Sequence, residues 1–425
     1  MSPVVGFAGM THLGINSAVA TAARGFAVVG YHDDAALIAR LQRRDMPVVE
    51  PGLDELVAAN WERLVFTADA AELARCDVVY IAADVPTDDE ARSDLAPILA
   101  LIDRVAGAMR NDAILVVLCQ VPPGFCRKLT QIPQERLIYQ VETLIFGRAV
   151  ERALHPERFI IGCADPGRSL PAAYATVVKA FDCPLLVMRY ESAELAKISI
   201  NFCLVASVSV ANTLAEISEA IGADWSEIVP ALKLDRRIGQ YSYLAPGLGI
   251  SGGNLERDLR TVINIGEAEG TDVGVVKAWF DNSRHRKDWT WRTLQQAVLA
   301  AKPDAVIAVL GLAYKENTHS TKNSPSLQLL SHLEDKAVRV HDPVVPGTAA
   351  PKAKFCATAL ECINGADVVV LATPWQEYSE LRLEDLAQAM RGRVIIDPYR
   401  LLRGDRARAL GFAYHALGAP ASMPD

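Results

Sequence analysis

Short apolar runs recur in both halves of the chain, each closed by glycine or polar residues and followed by a stretch of helical character. Pro3 to Ala8 is apolar with two valines, a pattern that predicts a buried strand. Gly9-Met10-Thr11-His12-Leu13-Gly14 follows, then an alanine-rich stretch through Ala23 that predicts a helix. Phe26 to Tyr31 predicts a second strand, which ends in His32-Asp33-Asp34. Together these make a β-α-β unit of roughly 30 residues. Asp77 to Ala82 and Ala113 to Leu118 predict two more strands. Ala305 to Leu310 is a strand that opens a second α/β unit, beginning near Asp304. Apolar runs alternating with helical stretches predict parallel sheets covered by helices. Between the two series, Glu191 to Ala220 contains neither Gly nor Pro and reads as one long helix, ended by Ile221-Gly222-Ala223. Its apolar residues recur around most of the circumference, which predicts burial between domains or in a dimer interface. Trp279 to Ala300 is polar and helical and reads as a connector.

A chain of 425 residues predicts two or three domains. With 51% hydrophobic and 22% charged residues it has the composition of a soluble globular protein. The net charge of −8, with no polybasic run, gives nucleic acid or an acidic membrane surface no electrostatic support as partners. The N-terminus lacks a basic segment followed by a long apolar core, so no secretory signal is expected. No uncharged apolar run approaches about 18 residues, so no membrane span is expected either. A cytoplasmic location follows. The eight cysteines are scattered without a C-x-x-C pair, which predicts free thiols and no metal site.

Gly9 and Gly14 hold the outer places of a dinucleotide-binding turn, which asks for G-x-G-x-x-G between a strand and a helix. Thr11 stands at the middle glycine, where its hydroxyl either bonds a phosphate or obstructs one. Asp33 is placed to accept from ribose hydroxyls, which favours NAD over NADP.

Residues 246–258, from Pro246-Gly247-Leu248-Gly249 through Ile250-Ser251-Gly252-Gly253 to Asn254-Leu255-Glu256-Arg257-Asp258, begin with four glycines in the first eight positions. In a helix or strand interior each glycine costs about 1 kcal/mol against Ala, so the stretch reads as a loop lying close to a ligand. It resembles the active-site loop of the UDP-glucose/GDP-mannose dehydrogenase family. Gly249, Gly252 and Asp258 match the family's pattern, Ser251 replaces a Gly, and Arg257 replaces a Lys. Asn254 falls where the family carries its nucleophilic cysteine. The resemblance continues, in order, from about residue 4 to about residue 402. Pro47-Val48-Val49-Glu50-Pro51-Gly52-Leu53 follows a family signature and also reads as a Pro-Gly turn capping a helix. Val85-Pro86-Thr87 lies over a cofactor-side turn, with Val85 in place of a Thr. Gln120, in Cys119-Gln120-Val121-Pro122-Pro123-Gly124, replaces the Thr that helps position the reacting water. Glu142 keeps the first of two family carboxylates and Phe146 replaces the second, a change that predicts a raised Glu142 pKa. Lys197 and Asn201 reproduce a K-x-x-x-N pair on one helix face.

The resemblance implies two Rossmann-like doubly wound α/β domains joined by a long central helix. It places an NAD-binding domain at 1–188, a central dimerisation region with the active-site loop at 189–300, and a UDP-binding domain at 301–425. It implies NAD as cofactor, a UDP-linked sugar as substrate, and a homodimer. Gly9, Thr11, His12, Leu13, Gly14, His32 or Asp33, Val85, Pro86 and Gln120 fall on the cofactor. Lys197, Asn201, Asp258, Glu142 and Asn254 fall at the reacting centre. Glu142, Lys197, Arg237, Tyr243, Leu244, Gly249, Lys315 and Arg400 fall on the substrate, with Arg237 reaching a partner subunit's nucleotide.

Family members oxidise the sugar's C6 hydroxyl to a carboxylate with two NAD, through a cysteine thiohemiacetal and thioester. Asn254 has no thiolate, so covalent catalysis at this position is excluded on chemical grounds. The leading expectation is a single two-electron oxidation that releases an aldehyde or ketone. An epimerase working by transient oxidation, a four-electron oxidation through the aldehyde hydrate, and a silent nucleotide-binding protein remain as alternatives.

Overall fold

The computed structural model describes residues 2–86 and 93–422. The chain divides into two compact units, one ending at Ile200 and the other beginning at Asn201.

The first unit is built on eight strands. They are β1 (Val4–Ala8), β2 (Ala27–Tyr31), β3 (Leu64–Thr67), β4 (Val78–Ile81), β5 (Ile114–Val117), β6 (Leu137–Gln140), β7 (Phe159–Cys163) and β8 (Leu185–Arg189). They lie in the order β3-β2-β1-β4-β5-β6-β7-β8. Every neighbouring pair is parallel except β6 and β7. The helices are α1 (His12–Ala23), α2 (Ala35–Gln42), α3 (Leu53–Asn60), α4 (Ala96–Ala108), α5 (Ala149–Leu154) and α6 (Ala172–Lys179). The central strands read as continuous apolar runs because both faces are covered. Phe7, Val28, Val78, Tyr80 and Val116 point into one core, and Ala8, Val29, Val79, Ile81 and Val117 into the other. All the strand ends that matter for ligands therefore open on one edge of the sheet, beyond the carboxyl termini of β1, β2, β4 and β5.

The long helix is α7, Tyr190–Ile221, 32 residues. Tyr190 anchors its start by donating to the carbonyls of Gln134 and Leu137. By length and hydropathy alone it is apolar enough to cross a membrane. Several of its polar residues have protein partners. Buried Glu194 accepts from the amides of Gly124 and Cys126, and Asn212 accepts from Gly247. Val210, Leu214, Ile217 and Ile221, spaced for one helix face, are exposed in the single chain.

The second unit continues with α8 (Trp225–Leu234), α9 (Asn254–Glu269) and α10 (Gly274–Lys287). Its sheet has the order β11-β10-β9-β12-β13-β14, all parallel. The strands are β9 (Val306–Leu310), β10 (Ala337–His341), β11 (Lys354–Phe355), β12 (Val368–Leu371), β13 (Val394–Ile396) and β14 (Ala413–His415). The stretch read as a polar connector is different in kind. The helix breaks at Asp288, and Arg286 is fully buried with Glu216 and Glu219 of α7 beside it at 3.3 and 3.5 Å. Charges that look solvated in sequence are neutralised inside the fold by acids some 70 residues away.

Candidate active site

In the first unit the turn after β1 is shaped for a dinucleotide. Gly9 has φ +99°, and a Cβ there would stand 2.7 Å from the Cβ of Ala83. A Cβ on Gly14 would stand 1.8 Å from the carbonyl oxygen of Gly9, so α1 presses directly on the turn. The first turn of α1 carries no acidic side chain, which leaves its amide end fit for a pyrophosphate. Thr11, at the middle position, has protein partners. Its hydroxyl donates to the carbonyl of Ala82 at 3.3 Å and accepts from the amide of Asp84 at 3.1 Å, so it braces the turn after β4. That turn carries half-buried Val85 and exposed Pro86; Thr87 lies outside the described residues. Gln120 follows β5 and is half-buried. At the end of β2, the amide of Asp34 donates to Nδ1 of His32 at 3.0 Å, and Arg104 of α4 donates to Asp33 at 2.7 Å.

His12 and Glu50 form a contact that sequence reasoning missed. Nε2 of His12 lies 2.7 Å from Oε1 of Glu50, whose side chain is only 1% exposed. The same carboxylate accepts from the amides of Gly147 at 2.9 Å and Ala149 at 3.0 Å. The Phe146 ring packs against His12 in a tilted arrangement, with ring centroids 4.1 Å apart. The Pro-Gly turn does introduce α3, with Gly52 at φ +79° as its N-cap. Its glutamate, however, fastens the loop after β6 to the start of α1. The signal was a single buried acid in a motif otherwise read for its turn.

That loop carries Glu142. Nζ of Lys197 donates to the Glu142 carbonyl at 2.7 Å and lies 3.7 Å from its carboxylate. The carboxylate also accepts from the amide of Leu144. Burial holds the Glu142 carboxyl above its usual range, opposed by the Lys197 ammonium, so the expected direction is found with desolvation as its main cause.

In the second unit Asn201, one helical turn after Lys197 on α7, donates its amide to Oδ2 of Asp258. Asp258 is 1% exposed, and Nε of Arg257 lies 3.4 Å from its other oxygen. Asn254 stands one turn before Asp258, exposed in the first turn of α9. The sequence therefore brings Asn201, Asp258 and Asn254 to one place through two helices.

Several residues assigned to the substrate have protein neighbours of their own. Gly249 (φ +73°) packs against α10, where a Cβ would stand 2.4 Å from the carbonyl of Ser283; its close approach is to protein. Gly252 (φ +75°) faces the ring of Tyr314. Leu244 is buried and its carbonyl accepts from the Trp225 indole at 2.7 Å, so it belongs to the core around α8. Arg400 is held in a fork by Asp224, at 2.8 and 3.2 Å, and by Ser226. Its guanidinium braces the start of α8. Tyr243 is 57% exposed, and the Arg237 side chain is exposed and paired with Asp235. Lys315 lies 5.8 Å from the ring of Tyr314.

The eight cysteines are free. Burial pushes the Cys119 thiol up to about 12 and that of Cys126 well above its usual value, so neither supplies a thiolate near neutral pH. Cys203 is exposed on α7, two residues beyond Asn201 and so roughly half a turn around the helix.

Comparison with known proteins gives the same picture along the whole chain. Residues 4–181 match the NAD binding domain of the UDP-glucose/GDP-mannose dehydrogenase family, 191–283 its central domain, and 308–404 its UDP binding domain. The chain is 30% identical to a UDP-glucose 6-dehydrogenase of Pseudomonas aeruginosa, over 97% of this chain and 96% of the relative. It is 27% identical to the UDP-glucose 6-dehydrogenase TuaD of Bacillus subtilis, over 97% and 92%. A UDP-glucose dehydrogenase structure from Pyrobaculum islandicum superposes with a TM-score of 0.86 at 27% identity, covering 99% of this chain and 98% of that one. A UDP-D-ManNAc dehydrogenase from Pyrococcus horikoshii shares the fold, with a TM-score of 0.84 at 23% identity. The fold class of two Rossmann-like sheets and a long central helix, the glycine-shaped cofactor turn and these matches agree: the chain belongs to the UDP-glucose/GDP-mannose dehydrogenase family, whose members are NAD-dependent oxidoreductases acting on nucleotide sugars.

Proposed function

We propose that this chain oxidises one alcohol of a UDP-linked sugar by two electrons and releases the carbonyl product, with no covalent enzyme intermediate. The feature that supports this reading is Asn254, a carboxamide that the motif resemblance sets at the family's nucleophile position, while Lys197, Asn201 and Asp258, the groups proposed to serve alcohol oxidation, are present and hydrogen-bonded. A carboxamide cannot add to an aldehyde as a thiolate does, so no thioester forms for water to cleave.

Bound NAD would supply the hydride acceptor for this oxidation. Gly9, the amide end of α1 and the end of β2 are the parts of this chain suited to hold it. The Lys197 ammonium, fixed by the Glu142 carbonyl, stabilises the oxygen as negative charge develops on it. Asp258, oriented by the Asn201 amide, takes up the hydroxyl proton directly or through a water and returns it to solvent. The UDP portion is proposed from the names of the relatives and the matched UDP binding domain. The exposed apolar stripe of α7 is proposed to be covered by a second copy of the chain, giving a homodimer in the cytoplasm.

The test is capture of the product. UDP-glucose and related UDP-sugars are incubated with the protein and NAD, then treated with hydroxylamine and analysed by mass spectrometry. An oxime of the oxidised nucleotide sugar supports the proposal. A carboxylate product, or a sugar with an inverted centre and no oxime, contradicts it. Asn254→Cys places a thiol at the start of α9, where the helix favours the thiolate. In that variant, part of the product is expected to appear as carboxylate.

A further inference from the structure

Glu256 lies in the first turn of α9, two residues after Asn254 and two before Asp258. Its carboxylate is shared between two other parts of the second unit. Nζ of Lys287, at the end of α10, donates to Oε1 at 3.1 Å. Nδ2 of Asn323, on the segment 311–324 that follows β9, donates to Oε2. The same segment grips the glycine loop just ahead of α9. The amide of Gly252 donates to the carbonyl of Lys322 at 3.1 Å, and the Gly252 carbonyl accepts from Nδ2 of Asn323 at 3.0 Å. Asn323 has φ +55°, a left-handed backbone that asparagine tolerates better than most residues. On the α10 side, the amide of Ile250 donates to the hydroxyl of Ser283 at 2.8 Å. The Lys287 and Glu256 side chains are only 8% and 17% exposed, so their ion pair is little screened by water and salt. Lys315, which the motif resemblance sets on the substrate, lies on the same segment as Asn323.

We propose that Glu256 is a positioning residue: with Asn323 it ties the segment after β9, where the uridine diphosphate of the substrate engages, to the part of α9 that carries Asp258. The proposal rests on the reading of Asp258 as the proton acceptor in alcohol oxidation. Glu256 has both oxygens engaged and acts through Asp258, not on the sugar. A helix that starts from a run of glycines is free to shift, and a misplacement of about 1 Å at a reacting group costs about a hundredfold in rate. The carboxylate removes that freedom, because α9 cannot move against Asn323 or Lys287 without breaking a charge-assisted hydrogen bond. A uridine diphosphate that orders residues 311–324 therefore orders the reacting turn as well, so that binding energy from the nucleotide serves the chemistry at the sugar.

The experiment is hydrogen–deuterium exchange of the full chain, read by mass spectrometry on peptides covering 249–262, with and without UDP. It needs no turnover, so it holds whichever oxidation the protein performs. In the wild type UDP is expected to slow exchange in these peptides by about tenfold. In Glu256→Ala and in Asn323→Ala, exchange without UDP should rise by about tenfold and UDP should no longer slow it, while calorimetry finds UDP bound within about threefold of wild type. In NADH formation, kcat should fall about ten- to a hundredfold with KM for NAD unchanged, a split that a general loss of structure would not give. Glu256→Gln, which keeps an acceptor for Asn323, should recover part of both effects. The proposal is overturned if UDP leaves residues 249–262 unaffected in the wild type, if it protects them equally in the variants, or if the variants keep the wild-type kcat. Should circular dichroism show Glu256→Ala unfolded, Asn323→Ala, which leaves the Lys287 pair in place, decides. Absence of NADH from the wild type would sink the proposed oxidation, and the exchange result would still decide whether Glu256 couples the two segments.

Discussion

Replacing Glu50 by Ala tests whether one buried carboxylate sets the geometry of the reacting loop. The Glu50 carboxylate receives three donors: the amides of Gly147 and Ala149 and Nε2 of His12. Ala149 is fully buried, and the carboxylate itself is almost fully buried. Truncation leaves two backbone amides and an imidazole without their acceptor. Each buried donor so orphaned costs about 1–3 kcal/mol, which gives about 2–6 kcal/mol for the two amides. If residues 142–149 detach locally and meet water, the global cost falls toward the lower figure, and the consequence moves to catalysis. Glu142 lies on that segment and its carbonyl holds the Lys197 ammonium, so a detached loop releases the group that stabilises the developing alkoxide. Denaturant unfolding followed by intrinsic fluorescence measures the first effect, and steady-state NADH formation the second. Glu50→Gln retains one carbonyl oxygen as acceptor and should fall between wild type and Ala in both. The reasoning is refuted if Glu50→Ala loses less than about 0.5 kcal/mol and keeps full activity.

Asp258→Asn should lower kcat by about a hundredfold or more with NAD affinity unchanged, read by NADH formation beside calorimetry. Gly14→Ala puts a Cβ 1.8 Å from the Gly9 carbonyl and should abolish NAD binding and lower the melting temperature, whereas the same change at open Gly25 should leave NAD binding intact. The pH dependence of the second unit has a definite sign. Arg391, bonded to Asp367 with help from Lys302, holds that carboxyl far below the usual range. Its contribution is complete above the unfolded value of about 3.9 and is lost as pH falls below it toward the folded value. Acid unfolding monitored by circular dichroism should therefore steepen below about pH 4, and Asp367→Asn should flatten that part of the curve.

The sheets were legible because their strands are buried on both faces, so runs such as Val78 to Ile81 appear as unbroken apolar stretches. The long helix was legible for the same kind of reason: 32 residues without a breaker. Long-range polar contacts were not. Glu50 meets the amide of Gly147 across 97 positions, and nothing in the local pattern marks that partner. Arg400 bonds Asp224, 176 residues away, a partner that nothing in the local sequence marks. Glycine-rich residues 246–253 signalled a close approach, and the protein neighbours of two of the glycines could not be read from the sequence. Gly249 makes room for α10 and Gly252 for Tyr314, because positive φ serves protein packing as readily as it serves a ligand. Thr11 was ambiguous in sequence because the partner of its hydroxyl, the turn at Ala82 and Asp84, lies more than 70 residues on.

The measurement that tests the central claim most directly is the stoichiometry of NADH formed per UDP-sugar consumed, followed to completion at limiting sugar. A two-electron oxidation without a covalent step predicts one NADH per sugar. Two NADH per sugar would contradict it, and would mean that the second oxidation proceeds in this chain with an asparagine at position 254.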